Sequence, residues 1–124
     1  MRTNLRKRLL KEQNVCSYCG KWCLDDPTID HIIPKAWGGP PSAVYNLTLA
    51  CGTCNQDKSK LERLAGRDCY RYEIINKKCL DGVDNLKFKY ESLLKMFNEK
   101  EEDKYYRMAL LLKKTLTIYM ENHI

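Results

Sequence analysis

Apolar and polar positions along the first half of the chain predict two short strands. Residues 28–33 are rich in β-branched side chains and stop at Pro34, which cannot donate a hydrogen bond to a sheet ladder. Residues 47–50 form a second short apolar run that also fits a strand. The two runs are separated by a loop rich in glycine and proline, so we expect a small two-stranded unit.

Helical spacing dominates the rest of the chain. A helix is expected over about residues 54–64, because Asn55 is a favoured N-cap and Gly66 is a plausible C-terminal stop. Residues 68–79 form a less regular helical stretch. Apolar residues recur at three- and four-residue spacing over 84–98, with Asp84 as its N-cap, and over 102–120.

The pattern divides the chain into three segments. Residues 1–13 predict a short basic helix, residues 14–65 a small core, and residues 66–124 a helical extension packed on that core. A length of 124 residues fits one domain with an appendage.

Charge and composition narrow the kinds of partner. The formal net charge is +6 with 31% charged residues, which favours an anionic partner such as nucleic acid. No apolar run approaches the length of a membrane helix, and the basic start lacks the apolar segment of a signal peptide. Together with the pairing of the cysteines, this leads us to expect a cytoplasmic, intracellular protein without a membrane partner.

Four of the seven cysteines occur as two Cys-x-x-Cys pairs. Such a pair presents two thiolates to one ion, and zinc prefers four tetrahedral ligands in structural sites. Buried or redox cysteines are the alternative interpretation. We predict a closed structural zinc site formed by Cys16, Cys19, Cys51 and Cys54.

The residues between and just after these pairs carry chemistry suited to phosphodiester hydrolysis. Histidine is the side chain suited to accept a proton from water at neutral pH, which makes His31 a candidate base, whereas Asp30 and Asn55 offer hard oxygen ligands suited to magnesium or manganese. Adjacent strand residues point to opposite faces, so a strand end or bulge is needed to aim both Asp30 and His31 at one ion. A core histidine and a plain N-cap are the alternatives for His31 and Asn55.

The order of these elements resembles the signature of the HNH endonuclease family in its zinc-knuckle form. The resemblance covers about residues 14–62. It implies an α+β fold with a ββα-metal core, in which two antiparallel strands and a helix surround one divalent ion. The residues that carry the resemblance are Cys16-x-x-Cys19, Asp30-His31-Ile-Ile-Pro34, Gly38-Gly39, Asn46-Leu47, Cys51-x-x-Cys54-Asn55 and Lys58.

The resemblance also implies a role for each site residue. His31 is the general base, and Asp30 binds the catalytic Mg²⁺ or Mn²⁺. Asn46 braces the loop that orients His31. Asn55 stands where other members have histidine or asparagine and is the second ligand of that ion.

Basic residues near this segment are candidates for contacts with nucleic-acid phosphates, although a solvated surface is the alternative for each one. The candidates are Lys35, Lys58, Lys60 and Arg63. The sequence therefore predicts a metal-dependent DNA endonuclease, with RNA or branched DNA left open as substrates. A non-catalytic zinc module that binds nucleic acid or a protein is the alternative, and either a monomer or a homodimer fits.

Overall fold

The computed structural model describes residues 13–23 and 27–123. The N-terminal helix expected over residues 1–13 lies outside them except for Gln13. The elements run in the order β1 (Pro27–His31), β2 (Leu47–Cys51), α1 (Gly52–Asn76), α2 (Gly82–Asn98) and α3 (Asp103–His123).

The two strands form one antiparallel sheet with an uninterrupted register. Pro27 pairs with Cys51, and His31 pairs with Leu47. Helix α1 follows β2 directly, so the sheet and α1 form a ββα unit. The predicted α+β class, with a small ββα core and a four-cysteine cluster, is confirmed.

Helix α1 is longer than the sequence pattern indicated. The prediction that it ends at Gly66 is wrong, since the helix continues for ten residues to Asn76. Ala65 and Cys69 on either side of the glycine are buried, and such burial outweighs the cost of about 1 kcal/mol for glycine in a helix. The helix ends where Lys77 adopts a left-handed conformation with φ 48°.

Helices α2 and α3 match the two predicted amphipathic segments to within three residues at each end. Helix α2 begins at Gly82 after the N-cap Asp81, so Asp84 lies in the first turn and the prediction that it is the N-cap is wrong. Within the described part of the chain, we find no helix with both the length and the apolar character needed to cross a membrane.

The helical extension and the ββα unit share one hydrophobic core. Leu93, Met108 and Leu112 from α2 and α3 are buried in the same cluster as Ile33 and Leu49 from the sheet region.

Two polar contacts supplement this packing. Lys104 on α3 pairs with Asp57 on α1 at 2.5 Å, and Arg107 donates to the Tyr18 carbonyl at 2.8 Å. Helix α3 therefore holds both α1 and the segment that contains the first cysteine pair.

Candidate functional site

Four cysteine sulfurs converge at the junction of the first cysteine turn, β2 and α1. All four sulfurs lie within 4.8 Å of one another, and the Sγ atoms of Cys19 and Cys51 are 3.8 Å apart. Zinc with bonds of about 2.3 Å to tetrahedral thiolates separates the sulfurs by about 3.8 Å. The donor set therefore fits a closed zinc site, formed by Cys16, Cys19, Cys51 and Cys54 as the spacing predicted.

Backbone N–H groups point at the sulfurs of this cluster. Tyr18 and Cys19 donate to the Cys16 sulfur at 3.4 and 3.5 Å, and Cys54 donates to the Cys51 sulfur at 3.4 Å. Burial alone raises the pKa of Cys16, but backbone donors outweigh it and lower the pKa to about 7. Burial and the neighbouring thiols instead raise the pKa of Cys54. A cation is what allows all four groups to be thiolates at neutral pH.

His31 is the last residue of β1, and its ring is half-buried. The Nε2 atom lies 3.1 Å from the carbonyl oxygen of Pro41. A carbonyl oxygen only accepts hydrogen bonds, so Nε2 carries the proton in this contact. In the neutral ring, Nδ1 then keeps its lone pair and can accept a proton.

Asn46 fixes the loop that supplies this carbonyl. Its side chain is fully buried, accepts from the Ile33 N–H at 2.7 Å, and donates to the carbonyls of Ile33 and Pro40 at 3.0 and 3.1 Å. Its own carbonyl accepts from the Ile32 N–H at 2.9 Å. Pro40 directly precedes the residue that contacts His31, so Asn46 joins the end of β1 to the loop that holds the imidazole.

Asp30 lies next to His31 in sequence but on the opposite face of β1. The strand pairing has no bulge between them, so their side chains alternate. The Asp30 side chain is 5% exposed, accepts a hydrogen bond from the Tyr18 hydroxyl and pairs with Lys58. The structure therefore does not bring Asp30 and His31 to one ion.

Lys58 is completely buried, at 0% exposure, between β1 and α1. Its ammonium lies 3.2 Å from Asp30 and 2.6 Å from Glu62, and it also donates to the carbonyls of His31 and Ile32 at 3.2 Å. Burial lowers the pKa of Lys58, but the two carboxylates outweigh burial and raise it. The prediction that Lys58 contacts phosphate does not suit this position, because the ammonium faces the interior.

Burial also shifts the pKa values of Glu62 and Tyr18, which lie beside Lys58 and Asp30. Burial raises the pKa of the Glu62 carboxyl in spite of Lys58, and burial together with the Asp30 charge raises that of the Tyr18 hydroxyl. One buried ammonium therefore lies between two carboxylates.

Asn55 lies on the wall of a cleft and is not hydrogen-bonded to Asp30. Its Nδ2 donates to the Thr28 hydroxyl at 3.0 Å, and the helix N-cap is Cys51, so Asn55 is not a simple cap. Among the residues that the structure describes, no hydrogen bond joins Asn55 to the Asp30 carboxylate. The cleft is lined by Thr28, Gly52, Asn55, Gln56, Ser59, Lys60 and Arg63.

Two of the predicted phosphate contacts, Lys60 and Arg63, are exposed on the wall of this cleft. Lys35 is exposed in a short 3₁₀ turn, Lys35–Trp37, that follows β1. These three cations are accessible to a phosphate, in contrast to Lys58.

Sequence reasoning missed three residues that position the site. Glu62 stands four residues after Lys58, and this ion-pair spacing on a helix is a signal that was available. Tyr18 and Pro41 act through contacts across the fold, and no local pattern in the sequence points to them.

Comparison with known proteins supports the family assignment. The family model described as HNH endonuclease matches residues 16–61, from the first cysteine of the cluster into helix α1. No curated protein and no solved structure matches the chain. HNH domains generally act on nucleic acids, and most are nucleases. The ββα fold and the four-cysteine cluster agree with this match, so residues 16–61 of this chain are similar to an HNH endonuclease domain.

Proposed function

We propose that the protein is a metal-dependent endonuclease that hydrolyses DNA phosphodiester bonds, with His31 as its general base. The observation that carries this proposal is the contact of the His31 Nε2 atom with the Pro41 carbonyl, at 3.1 Å, in a loop braced by Asn46. A general base needs a fixed ring with one nitrogen free, and this contact supplies both.

The proposed proton transfer starts at His31 Nδ1. That atom takes a proton from the attacking water, and the ring becomes an imidazolium. The Pro41 carbonyl accepts a hydrogen bond from Nε2–H before and after transfer and interacts more strongly with the charged ring. The contact therefore fixes the orientation of the ring while Nδ1 takes up the proton.

The proposed DNA path runs along the cleft on α1. Lys60 and Arg63 provide positive charge on its wall, and Gln56 and Ser59 provide hydrogen-bonding groups for phosphate oxygens. Lys35, which follows β1, supplies another exposed cation. These contacts read the backbone rather than the bases, so we expect strong salt dependence and little sequence preference from them.

The proposed cofactors are a structural zinc and a catalytic Mg²⁺ or Mn²⁺. A catalytic ion would stabilise the charge that develops on the phosphate. Asp30 and Asn55 remain its proposed ligands. The described arrangement does not fit this ion, because Tyr18 and Lys58 already bind the Asp30 carboxylate.

The same arrangement favours a second candidate function. A zinc module that binds nucleic acid without cutting it has no use for an accessible carboxylate, and Asp30 is buried and paired. The cleft with Lys60 and Arg63 serves either function. The two functions differ in whether bound nucleic acid is cleaved.

The deciding experiment is cleavage of supercoiled plasmid by purified zinc-loaded protein, with Mg²⁺, with Mn²⁺ or with neither. We expect conversion to open-circle or linear DNA that requires the divalent ion. His31→Ala should be slower by about 10²–10⁴-fold, the usual contribution of a general base. Added imidazole should restore part of the rate of this variant.

His31→Gln is the matched control. Glutamine can still donate to the Pro41 carbonyl but does not titrate near neutral pH, so it separates ring positioning from proton transfer. Wild-type-like cutting by either variant would refute His31 as the base. DNA or RNA that is retarded on a gel and stays intact with every metal would favour the binding module. Parallel assays on RNA and on branched DNA define the substrate.

A further inference from the structure

The buried ammonium of Lys58 occupies an oxygen-lined position beside the proposed metal ligand. Five oxygen atoms surround it: both oxygens of Asp30 at 3.2 and 3.3 Å, Glu62 Oε2 at 2.6 Å, and the carbonyls of His31 and Ile32 at 3.2 Å each. Two carboxylates and two carbonyls are the donor set of a cation site. Here the cation is a side chain of the protein itself.

The distances show which cation this position suits. Nitrogen–oxygen separations of 2.6–3.3 Å suit an ammonium group, whereas magnesium requires about 2.0–2.1 Å. Both Asp30 oxygens already have partners, since Lys58 contacts each of them and Tyr18 also donates to Asp30. A second cation at Asp30 would meet the Lys58 charge at close range inside the protein, where repulsion is poorly screened.

We propose that Lys58 is an internal cation that keeps Asp30 closed to divalent ions, and that Asp30 binds such an ion only after the ammonium has left it. This inference rests on the proposed function, because it concerns the carboxylate assigned to the catalytic ion. Substrate supplies a reason for the change. A phosphate in the neighbouring cleft does not meet Lys58, which does not line it, but its negative charge attracts a divalent ion that competes with the ammonium for Asp30.

The test is Mn²⁺ binding in the absence of nucleic acid, measured by electron paramagnetic resonance on the zinc-loaded full chain. Wild type should bind Mn²⁺ weakly. Lys58→Gln and Lys58→Met should bind it at least about tenfold more tightly, since the competing charge is gone. Lys95→Met removes an exposed lysine on α2 and should behave as wild type.

A thermal readout covers the case in which a variant folds poorly. Loss of Lys58 leaves two buried carboxylates without a counter-charge, so both variants should melt at lower temperature than wild type. Mn²⁺ should then raise the melting temperature of Lys58→Gln and Lys58→Met, but not that of wild type. Adding Asp30→Asn to either variant should abolish both the Mn²⁺ affinity and the thermal response.

Two results would overturn the proposal. In one, wild type binds Mn²⁺ as tightly as Lys58→Gln and loses it with Asp30→Asn, which means that Asp30 is open while Lys58 is present. In the other, neither Lys58 variant gains Mn²⁺ affinity or thermal response. Because no nucleic acid is present, these results are independent of whether the protein cuts plasmid.

Discussion

Replacing Asn46 with alanine tests the link between the loop and His31. The Asn46 carboxamide is fully buried and binds three backbone groups: the Ile33 N–H, the Ile33 carbonyl and the Pro40 carbonyl. Alanine leaves these three groups without their partner in the interior of the protein. It also frees the loop that carries the Pro41 carbonyl.

The expected loss of stability follows from the number of backbone groups that lose their partner. A buried polar group that loses its partner costs about 1–3 kcal/mol, and the three groups are close enough to relax together. We therefore expect Asn46→Ala to lower the free energy of unfolding by about 3–5 kcal/mol. Since small domains have about 5–15 kcal/mol of stability, much of the variant should remain folded for kinetic measurement.

The assay is urea unfolding at saturating zinc, followed by plasmid cleavage in conditions where the variant is folded. Rates per folded molecule should fall by about 10–100-fold, because a small misplacement of a catalytic group has an effect of this size. The loss should appear in kcat rather than in KM, since Asn46 is not among the residues that line the cleft.

Asn46→Asp is the matched control for shape. It keeps an acceptor for the Ile33 N–H but sets a carboxylate against two carbonyls, so it should destabilise the protein at least as much as alanine. A loss of less than 1 kcal/mol in Asn46→Ala, or an unchanged rate per folded molecule, would refute the bracing role.

Two further predictions concern the loop residue Gly39, with the helical Gly66 as its control, and the zinc. A Cβ on Gly39 would lie 2.0 Å from the Ile33 carbonyl oxygen, so Gly39→Ala should lower the free energy of unfolding by about 3 kcal/mol in the same urea assay. Gly66→Ala, its matched control, has no atom within 4 Å of the new Cβ and should gain about 0.5–1 kcal/mol; equal effects would contradict this packing. Metal analysis should find one zinc per chain, and a chelator should lower the melting temperature until zinc is restored. Cys51→Ser should show the low melting temperature without the chelator, and an unchanged value would argue against a zinc-dependent fold.

The parts of the site that the sequence predicted are those set by local spacing. Each Cys-x-x-Cys turn brings two sulfurs together by itself, and a β-branched run and an apolar run predicted the two strands to within two residues at each end. The length of α1 was not predictable in this way. Gly66 is typical of a residue that ends a helix. The helix continues because the neighbouring residues Ala65 and Cys69 are buried where α1 packs against α2.

The electrostatics of the site depend on tertiary contacts. From the sequence, Lys58 is expected to be a surface lysine on a helix that faces nucleic acid. In the structure it is buried and pairs with Asp30, which is 28 residues earlier in the chain. Tyr18 reaches the same carboxylate from the first cysteine turn. The types and order of the residues were enough to predict candidate residues of the site. Which of those side chains face solvent depends on burial and ion pairing in the folded protein.

Helix α1 sets strict limits on insertion and deletion. It has 25 residues, so it extends for about 37 Å, and it is continuous from the cysteine cluster through Lys58 to the contact with α2. Removing one residue near its start would rotate everything beyond by about 100° and turn Lys58 away from Asp30.

The connections that flank α2, at residues 77–81 and 99–102, carry no such constraint, because they contain neither cysteine ligands nor cleft residues. Changes in chain length should therefore be accepted at these two connections and rejected over residues 52–62. A library of single-residue insertions, scored for zinc-dependent folding, would map this difference directly.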